Sequence, residues 1–318
     1  MATLNNLSLE ILQHICGYIV SEYKPSVYTL ALVSKRYYFA SNRYRFRKIR
    51  LDIWSRAKLT KDLYRWNTIL QNTLCFGNVH QLDIRGDLPL PSHDTGQMPS
   101  YRNHPTKVID KFFNEFYETV NIIREAFCDE SPQVTRMLDE DWKPLAGFLA
   151  RLNGLRDLVF TGRNQFPACL LDILHESLPH CRLHLRNFRL NSLIQRWDQL
   201  KDVDLHDVAI ATSPCLHSIV VPYEPVLRSG LLDYNHMAAM RIATGLAPNI
   251  KEVHMVSNSS PNSRVLLSSG LPTWRGFSWM TLHILRALEG FKHYPSGATS
   301  SRTLKVEIII PRSQLFVC

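Results

Sequence analysis

Apolar residues recur at helical spacing near the start of the chain. Between residues 7 and 19 they lie three and four positions apart, at Leu7, Ile11, Leu12, Ile15 and Ile19. This spacing is typical of an amphipathic α-helix. Asn6 or Ser8 can cap its first turn, and Glu10 suits the positive end of the helix dipole. The pattern therefore predicts a helix that ends before Pro25.

A second apolar stripe follows Pro25, at Leu30, Val33, Tyr37 and Ala40, with Leu32 and Phe39 alongside. Lys35 and Arg36 belong to the opposite side. Two short helices are too few to bury this much apolar surface by themselves. We therefore expect a third partner, from this chain or from another protein, to cover them.

Beyond residue 50 the pattern changes to short segments in which apolar and polar residues alternate. Alternation predicts strands with one buried face. The segments are residues 78–84, 155–160, 181–185, 200–205, 216–221, 250–255 and 304–310. Helical patterns lie between some of them, at residues 166–178, where Pro167 suits a first helical position, and at residues 233–246, where Gly245 stands near the end. Strands and helices that alternate at steps of 16 to 34 residues predict an α/β solenoid.

Two parts of the chain do not fit this alternation. Residues 87–106 are rich in Pro, Gly, Ser and His and predict an exposed loop, and residues 107–128 predict an amphipathic helix. Together they form an insertion over residues 87–130 that either covers one end of the array or holds a partner. At the other end, no polar cap is visible after the strand at 304–310, so the sequence leaves open whether the array is truncated.

Composition narrows the class of protein. Hydrophobic residues make up 45% and charged residues 20% of 318 residues, which is ordinary for a globular chain. No apolar run reaches the length of a membrane span, and residues 1–13 lack the features of a signal peptide. Seven scattered cysteines form no C-x-x-C pair. We therefore expect free thiols, no membrane contact, and an intracellular location in the cytoplasm, the nucleus or both.

The net charge of +9 is partly local. Seven basic residues lie within sixteen positions: Lys35, Arg36, Arg43, Arg45, Arg47, Lys48 and Arg50. Such a segment can bind nucleic acid or an acidic protein. The simpler interpretation is a solvated helix face with its exit loop.

Chemical motifs are absent from the sequence. There is no nucleophile elbow, phosphate loop, zinc-protease or dinucleotide motif. His180, Cys181 and His184 are close in sequence, but Cys181 and His184 fall on opposite faces of a strand. The acidic residues around His206, at Asp202, Asp204 and Asp207, predict a solvated turn. We predict no catalytic residue, no metal site and no cofactor.

The first fifty residues resemble an F-box, whose pattern runs L-P-x-E-I-L-x-x-I, a gap, and L-x-x-V-S-K-x-W. The chain has LSLEILQHI at residues 7–15 and LALVSKRY at residues 30–37. Ser8 replaces the usual proline and Tyr37 the usual tryptophan. The resemblance implies docking onto the Skp-type adaptor of a cullin–RING ubiquitin ligase. The matching positions are Leu7, Ile11, Leu12, Ile15, Leu30, Val33 and Tyr37. The alternative is a helical hairpin packed on its own chain.

Residues 51–318 resemble an irregular leucine-rich-repeat array of the kind that follows the F-box in many fungal proteins, although the regular asparagine ladder is missing. The expected architecture is α/β: an F-box module at residues 1–50 and a repeat-like domain at residues 51–318. The resemblance implies a substrate-recognition adaptor that holds an unidentified protein client. Arg186, Arg189, His206 and Tyr223, just past the predicted strand ends, are its candidate contacts. A scaffold outside any ligase and a nucleic-acid-binding protein that uses residues 35–50 remain alternatives.

Overall fold

The computed structural model describes residues 7–88, 132–162, 164–195, 202–223, 232–257 and 305–309. The protein has an α/β architecture with a parallel sheet of seven strands in the order β1-β2-β3-β4-β6-β8-β9. The strands are β1 Lys48–Ile53, β2 Gln81–Gly86, β3 Asp157–Thr161, β4 Arg182–Leu185, β6 Leu216–Tyr223, β8 Glu252–Ser257 and β9 Lys305–Ile309. Two short antiparallel strands, β5 Ile194–Gln195 and β7 Leu232–Asp233, form a second sheet. Each strand of the main sheet thus pairs with the strand that precedes it in that sheet.

Eight α-helices are described, three of them before the sheet. They are α1 Leu9–Tyr23, α2 Ser26–Ala31, α3 Lys35–Arg45, α4 Arg56–Thr73, α5 Pro132–Leu149, α6 Ala168–Glu176, α7 Leu205–Ala211 and α8 Asn235–Arg241. A 3₁₀ turn at Phe76–Asn78 precedes β2.

Helices α1, α2 and α3 form a small module with its own apolar core. Its buried residues are Leu12, Cys16, Val27, Tyr37 and Ala40. The Ser8 side chain caps α1 by accepting a hydrogen bond from the backbone N–H of Ile11, as the sequence predicted. Ser34 caps α3 in the same way by accepting from Tyr37, so the second apolar stripe is divided between α2 and α3. The module core is distinct from the larger core under the sheet.

The sheet buries one face and leaves the other polar. In β1, Ile49, Leu51 and Ile53 belong to the larger core, whereas Lys48 and Arg50 alternate with them on the other side. The same alternation continues across β2, β3 and β4. Buried residues of α4, α5, α6 and α8 belong to the same larger core, so the apolar face of the sheet is covered by helices.

Most predicted strands are confirmed within one to three residues of their expected bounds. The segment at residues 200–205 is the exception. In its described part, residues 202–204 form no strand and Leu205 begins α7. The prediction was wrong because the Asp204 carboxylate accepts a hydrogen bond from the backbone N–H of His206 and so caps a helix. Strand β1 and helix α4 were not predicted. Because β1 begins at Lys48, the sheet starts before the expected boundary at residue 51.

The two predicted helices are confirmed with changes at their ends. Pro167 lies just before α6 instead of inside it. The second predicted helix begins two residues late and ends in a wider turn over residues 242–246, where Gly245 has a φ of 118°. The predicted helix at residues 107–128 lies outside the described residues, as does the predicted loop from residue 89 onward.

Buried asparagines join successive strand-and-helix units, which the sequence did not indicate. The Asn187 side chain, which follows β4, donates a hydrogen bond to the carbonyl of Gly162, which follows β3, at 2.9 Å. The Asn235 side chain accepts from the backbone N–H of Leu190 at 2.7 Å. Each bond satisfies a buried backbone group that would otherwise lack a partner.

We therefore expect Asn187→Ala to lower the free energy of unfolding by roughly 1–3 kcal/mol, since it leaves the Gly162 carbonyl buried without that donor. Urea unfolding measures the change. Asn249→Ala is the matched control, because the exposed Asn249 donates to the carbonyl of Pro214. Equal losses of unfolding free energy in the two variants would show that the buried hydrogen bond stabilises the protein no more than the exposed one.

Candidate interaction surfaces

The helical module exposes an unusual amount of apolar surface. Of the twelve large exposed apolar side chains in the described part of the chain, eight lie in α1–α3 and the turn between α2 and α3. We call them the N-terminal apolar surface: Leu9, Ile11, Tyr18, Tyr23, Tyr28, Leu32, Val33 and Phe39. Single exposed apolar residues are ordinary, but a concentration in one small module makes that module a candidate interaction site.

The residues matched to the F-box pattern divide into three groups in space. Leu12 and Tyr37 are only 1% and 6% exposed and belong to the core of the module. Leu7, Ile15 and Leu30 are half-buried against that core. Ile11 and Val33 are 49% and 66% exposed. The buried pair therefore shapes the module, and Ile11 and Val33 are the matched residues most available to a partner.

Two contacts hold the first and third helices together. The Arg36 guanidinium donates a hydrogen bond to the carbonyl of Leu7, which joins the start of α1 to the first turn of α3. Further along, α1 passes so close to α3 that a Cβ atom at Gly17 would lie 2.8 Å from the hydroxyl of Tyr44. The surface thus rests on a packed platform.

The open face of the sheet carries a second, polar surface. Parallel register places Arg50, Asp83, Val159, His184 and Ser218 in one row across five strands. Ion pairs cross between strands on this face. The Lys48 ammonium lies 2.9 Å from a carboxylate oxygen of Asp83. The Arg182 guanidinium makes two hydrogen bonds to Asp157, at 2.7 and 2.8 Å.

Asp157, His184 and Ser218 form a hydrogen-bonded chain across β3, β4 and β6. The Nε2 atom of His184 lies 3.1 Å from Asp157, and its Nδ1 atom lies 2.8 Å from the Ser218 hydroxyl. His217 lies at a bulge in β6, and its ring packs edge-on against His184 at 5.3 Å. Burial is the largest cause that lowers the pKa of both histidines. The Asp157 pKa is also lowered: burial opposes the shift, and the hydrogen bonds from Arg182 and His184 outweigh it.

Asp157, His184 and Ser218 are the residue types of a hydrolase relay, but the serine hydroxyl is not accessible to a substrate. Ser218 is 1% exposed in the middle of a strand. A nucleophile must reach the substrate carbon, and a hydroxyl that is buried beneath its neighbours cannot do so in this conformation. We therefore assign the three residues a structural role on the open face.

The four residues expected to contact a client have different local settings. His206 lies in α7 and not at a strand end, and its Nε2 atom lies 2.8 Å from the carbonyl of Phe166. Arg186 follows β4 and is half-buried. Arg189 is half-buried, and its charge lowers the pKa of Asp233 against the larger effect of burial. Tyr223 is the last residue of β6. The predicted position of His206 just past a strand end was wrong, because Asp204 caps a helix there.

The acidic residues around His206 also differ from expectation. Asp207 is buried, and its carboxylate accepts hydrogen bonds from the Ser192 backbone N–H and hydroxyl and from the Gln165 amide. Burial raises its pKa. The predicted solvated turn is therefore wrong for Asp207, which ties three segments together. Among the described residues, no group of three His, Cys, Asp or Glu side chains could hold a metal ion.

Three side chains of the basic segment have partners within the protein. Lys48 is paired with Asp83 on the open face of the sheet. The Arg45 guanidinium lies over the ring of Tyr38, 4.6 Å from its centroid, and Arg36 binds the Leu7 carbonyl. Arg43 and Arg47 remain exposed near the end of α3. Residues that are close in sequence thus differ in whether the protein itself supplies a partner for their charge.

No protein-family model, curated protein or solved structure matches the chain. Within the residues that the structure describes, no helix has both the length and the apolar character needed to cross a membrane.

The low pKa of His184 predicts a loss of stability in mild acid. The unfolded chain, with histidine pKa values near ~6.5, takes up protons that the folded chain resists. Stability should therefore fall as pH drops below about 6.5, until the folded-state pKa is also passed. We expect His184→Gln to reduce this slope in urea unfolding between pH 7.5 and 5.5.

His14→Gln serves as the control, because His14 is exposed on α1. His184→Gln should change the slope more than His14→Gln does. If His184→Gln and His14→Gln gave the same slope as the parent, the role of His184 in the pH dependence would be excluded.

Proposed function

We propose that the protein is a substrate-recognition adaptor of a cullin–RING ubiquitin ligase. In this proposal, the N-terminal helical module is an F-box that binds a Skp-type adaptor, and the sheet region binds a protein client. The observation that carries the proposal is the N-terminal apolar surface, a concentration of exposed apolar side chains on a module with its own core.

The energetics of this surface favour a protein partner. Complete burial of a large apolar side chain contributes roughly 1.5–3 kcal/mol. Burial of several such side chains offsets the cost of association, which is about 4–15 kcal/mol or more. Leu32 is the most exposed of them at 87%, and Val33 follows it directly. Because both lie in the turn between α2 and α3, a partner can reach them without any rearrangement of the module core.

The architecture after residue 46 supports the second half of the proposal. Parallel strands that pair in chain order, with helices on one face, resemble a leucine-rich-repeat array. The Asn187 bond to the preceding unit is similar to a rung of the asparagine ladder of such arrays. The open polar face of the sheet is then the surface for a client. The adaptor supplies proximity, which raises the effective concentration of client at the ligase without catalytic residues of its own.

Two other functions remain to be separated by experiment. A scaffold would bind the Skp-type adaptor without joining a cullin. A nucleic-acid-binding protein would use the basic segment at residues 35–50, but Arg36, Arg45 and Lys48 already have partners within the protein, which weighs against their use in contact with a polyanion.

We expect the double variant Ile11→Asp with Val33→Asp to lose binding to a purified Skp-type adaptor by at least about 100-fold. Each new carboxylate would be buried without a partner at the interface. Both positions are exposed in the free protein, so the fold should persist. Calorimetry measures the affinity, and thermal unfolding verifies that the variant is folded.

The matched control is Leu205→Asp, which places the same charge on a leucine that is 83% exposed in α7. Its affinity for the adaptor should equal that of the parent protein. Equal binding by the double variant would rule out docking through this surface. Capture of a cullin through the bound adaptor separates a ligase subunit from a scaffold, which would bind the adaptor alone.

A further inference from the structure

A row of basic side chains lies where the first three strands of the sheet begin. Arg47, His80 and Arg156 each precede a strand, and the backbone joins them. The His80 N–H donates to the Arg47 carbonyl, and the Arg156 N–H donates to the His80 carbonyl, both at 2.9 Å. Neighbouring strands lie about 4.8 Å apart, so Arg47 and Arg156 flank His80 across about 10 Å.

Arg43 brings a third guanidinium to this row. It lies in the last turn of α3, which contacts the 3₁₀ turn just before His80. Burial is the largest cause that lowers the pKa of His80, and the charges of Arg156, Arg47 and Arg43 lower it further. The opposing effect of Asp157 is smaller. All three arginines therefore act on one imidazole.

These arginines lack anionic partners in the part of the chain that the structure describes. Arg43, Arg47 and Arg156 are exposed, and none forms an ion pair with a described carboxylate. Asp157, the carboxylate whose charge acts on His80, is already bound by Arg182 and His184. The Nδ1 atom of His80 is shielded from solvent without a hydrogen-bond partner. The helix dipole accounts for Arg43 at the end of α3, but not for Arg47 or Arg156.

The backbone beneath the row is closely packed. A Cβ atom at Gly154 would lie 2.1 Å from the carbonyl oxygen of Gly77, so the two loops that lead to His80 and Arg156 touch backbone to backbone. The Arg151 guanidinium reinforces this contact, since it lies 4.2 Å from the centre of the Phe76 ring and 2.8 Å from the Asn67 side chain. Such packing holds the charged groups in position before any ligand arrives.

We propose that Arg43, Arg47 and Arg156, arranged around His80, bind a phosphate group in its dianionic form. Guanidinium groups match phosphate oxygens through paired N–H donors, and several together neutralise two negative charges. The ligand is a phosphorylated side chain of a protein or a small free phosphate. This site does not depend on the proposed function of the N-terminal module.

The surroundings favour one compact dianion over a nucleic acid. Asp52, Asp83 and Asp157 lie on the adjoining strands among basic side chains, so an extended polyanion that crossed the open face would meet carboxylates as well as cations. A single phosphate at the strand starts avoids them. It also attracts a proton onto His80, because a dianion reverses the repulsion from the three arginines.

The test uses the full chain at pH 7.5 and low salt. Isothermal titration is carried out with N-acetyl-O-phosphoserine amide, N-acetylserine amide, inorganic phosphate and a single-stranded DNA oligonucleotide. We expect the phosphoserine probe to bind and the serine probe not to bind. Tighter binding of the ester than of inorganic phosphate assigns the site to a phosphorylated side chain, and the reverse assigns it to free phosphate.

Variants then locate the binding. Arg47→Gln and Arg156→Gln together should weaken phosphoserine binding by at least about ten-fold, as expected for lost bonds to a charged group. Arg50→Gln is the matched control, because Arg50 is an exposed arginine three residues from Arg47, and it should bind like the parent. The His80 imidazole signal in NMR should titrate at a higher pH when phosphate is bound.

Three results would overturn the proposal. One is the absence of binding by both phosphate probes. Another is an equal loss in Arg50→Gln and in the double variant, or an unchanged His80 titration, which would mean diffuse attraction or a different site. The third is DNA binding that is far tighter than phosphoserine binding and is lost in the same variants, which would assign the arginines to nucleic acid.

Discussion

Register between consecutive parallel strands is the constraint on which the rest of this structure depends. Because each strand pairs with its predecessor in the sheet, residues far apart in sequence line up in rows across it. Odd and even positions then divide between a buried face and an open one. The same register carries Asp157 to His184 and Ser218, and it carries Arg47 to His80 and Arg156 at the strand starts. Both groupings follow from one pattern of backbone hydrogen bonds.

The helical module obeys a different constraint, since it has few residues with which to build a core. Its core has five buried residues, Leu12 and Tyr37 among them, and Ile11 and Val33 lie outside it. A small core leaves a large fraction of its side chains outside. The small core therefore leaves apolar side chains outside it, and these are available to a partner. The separation of its core from that of the sheet allows the surface to be altered without loss of the larger fold.

Much of the sheet could be predicted from the sequence, because alternation in segments such as residues 216–221 is a local signal that burial on one face produces directly. The segment at residues 200–205 has the same alternation, yet the Asp204 cap makes its end a helix start, and a single hydrogen bond decides between the two. Strand β1 was missed because two of its charged residues, Lys48 and Arg50, were interpreted as part of a basic run. At the candidate docking site, the apolar periodicity identified Ile11 and Val33 together with the buried Leu12 and Tyr37. Periodicity predicts which residues form an apolar stripe, but not which of them the module buries in its own core.

The positions of the basic residues show most clearly what could not be predicted from the sequence. Arg43, Arg47 and Lys48 are neighbours in the chain, but only the charges of the first two join that of Arg156, more than a hundred residues away, in lowering the pKa of His80. Lys48 is one position further on and therefore enters the strand, where alternation directs it to Asp83 on the open face. Arg47 and Lys48 are adjacent in sequence, yet Lys48 pairs with a carboxylate whereas Arg47 belongs to a group of like charges. Like charges repel, and the close contact between Gly77 and Gly154 fixes the two loops that lead to His80 and Arg156. An external anion relieves that repulsion, and this is the physical reason to look for a ligand at the strand starts and not along the basic run as a whole.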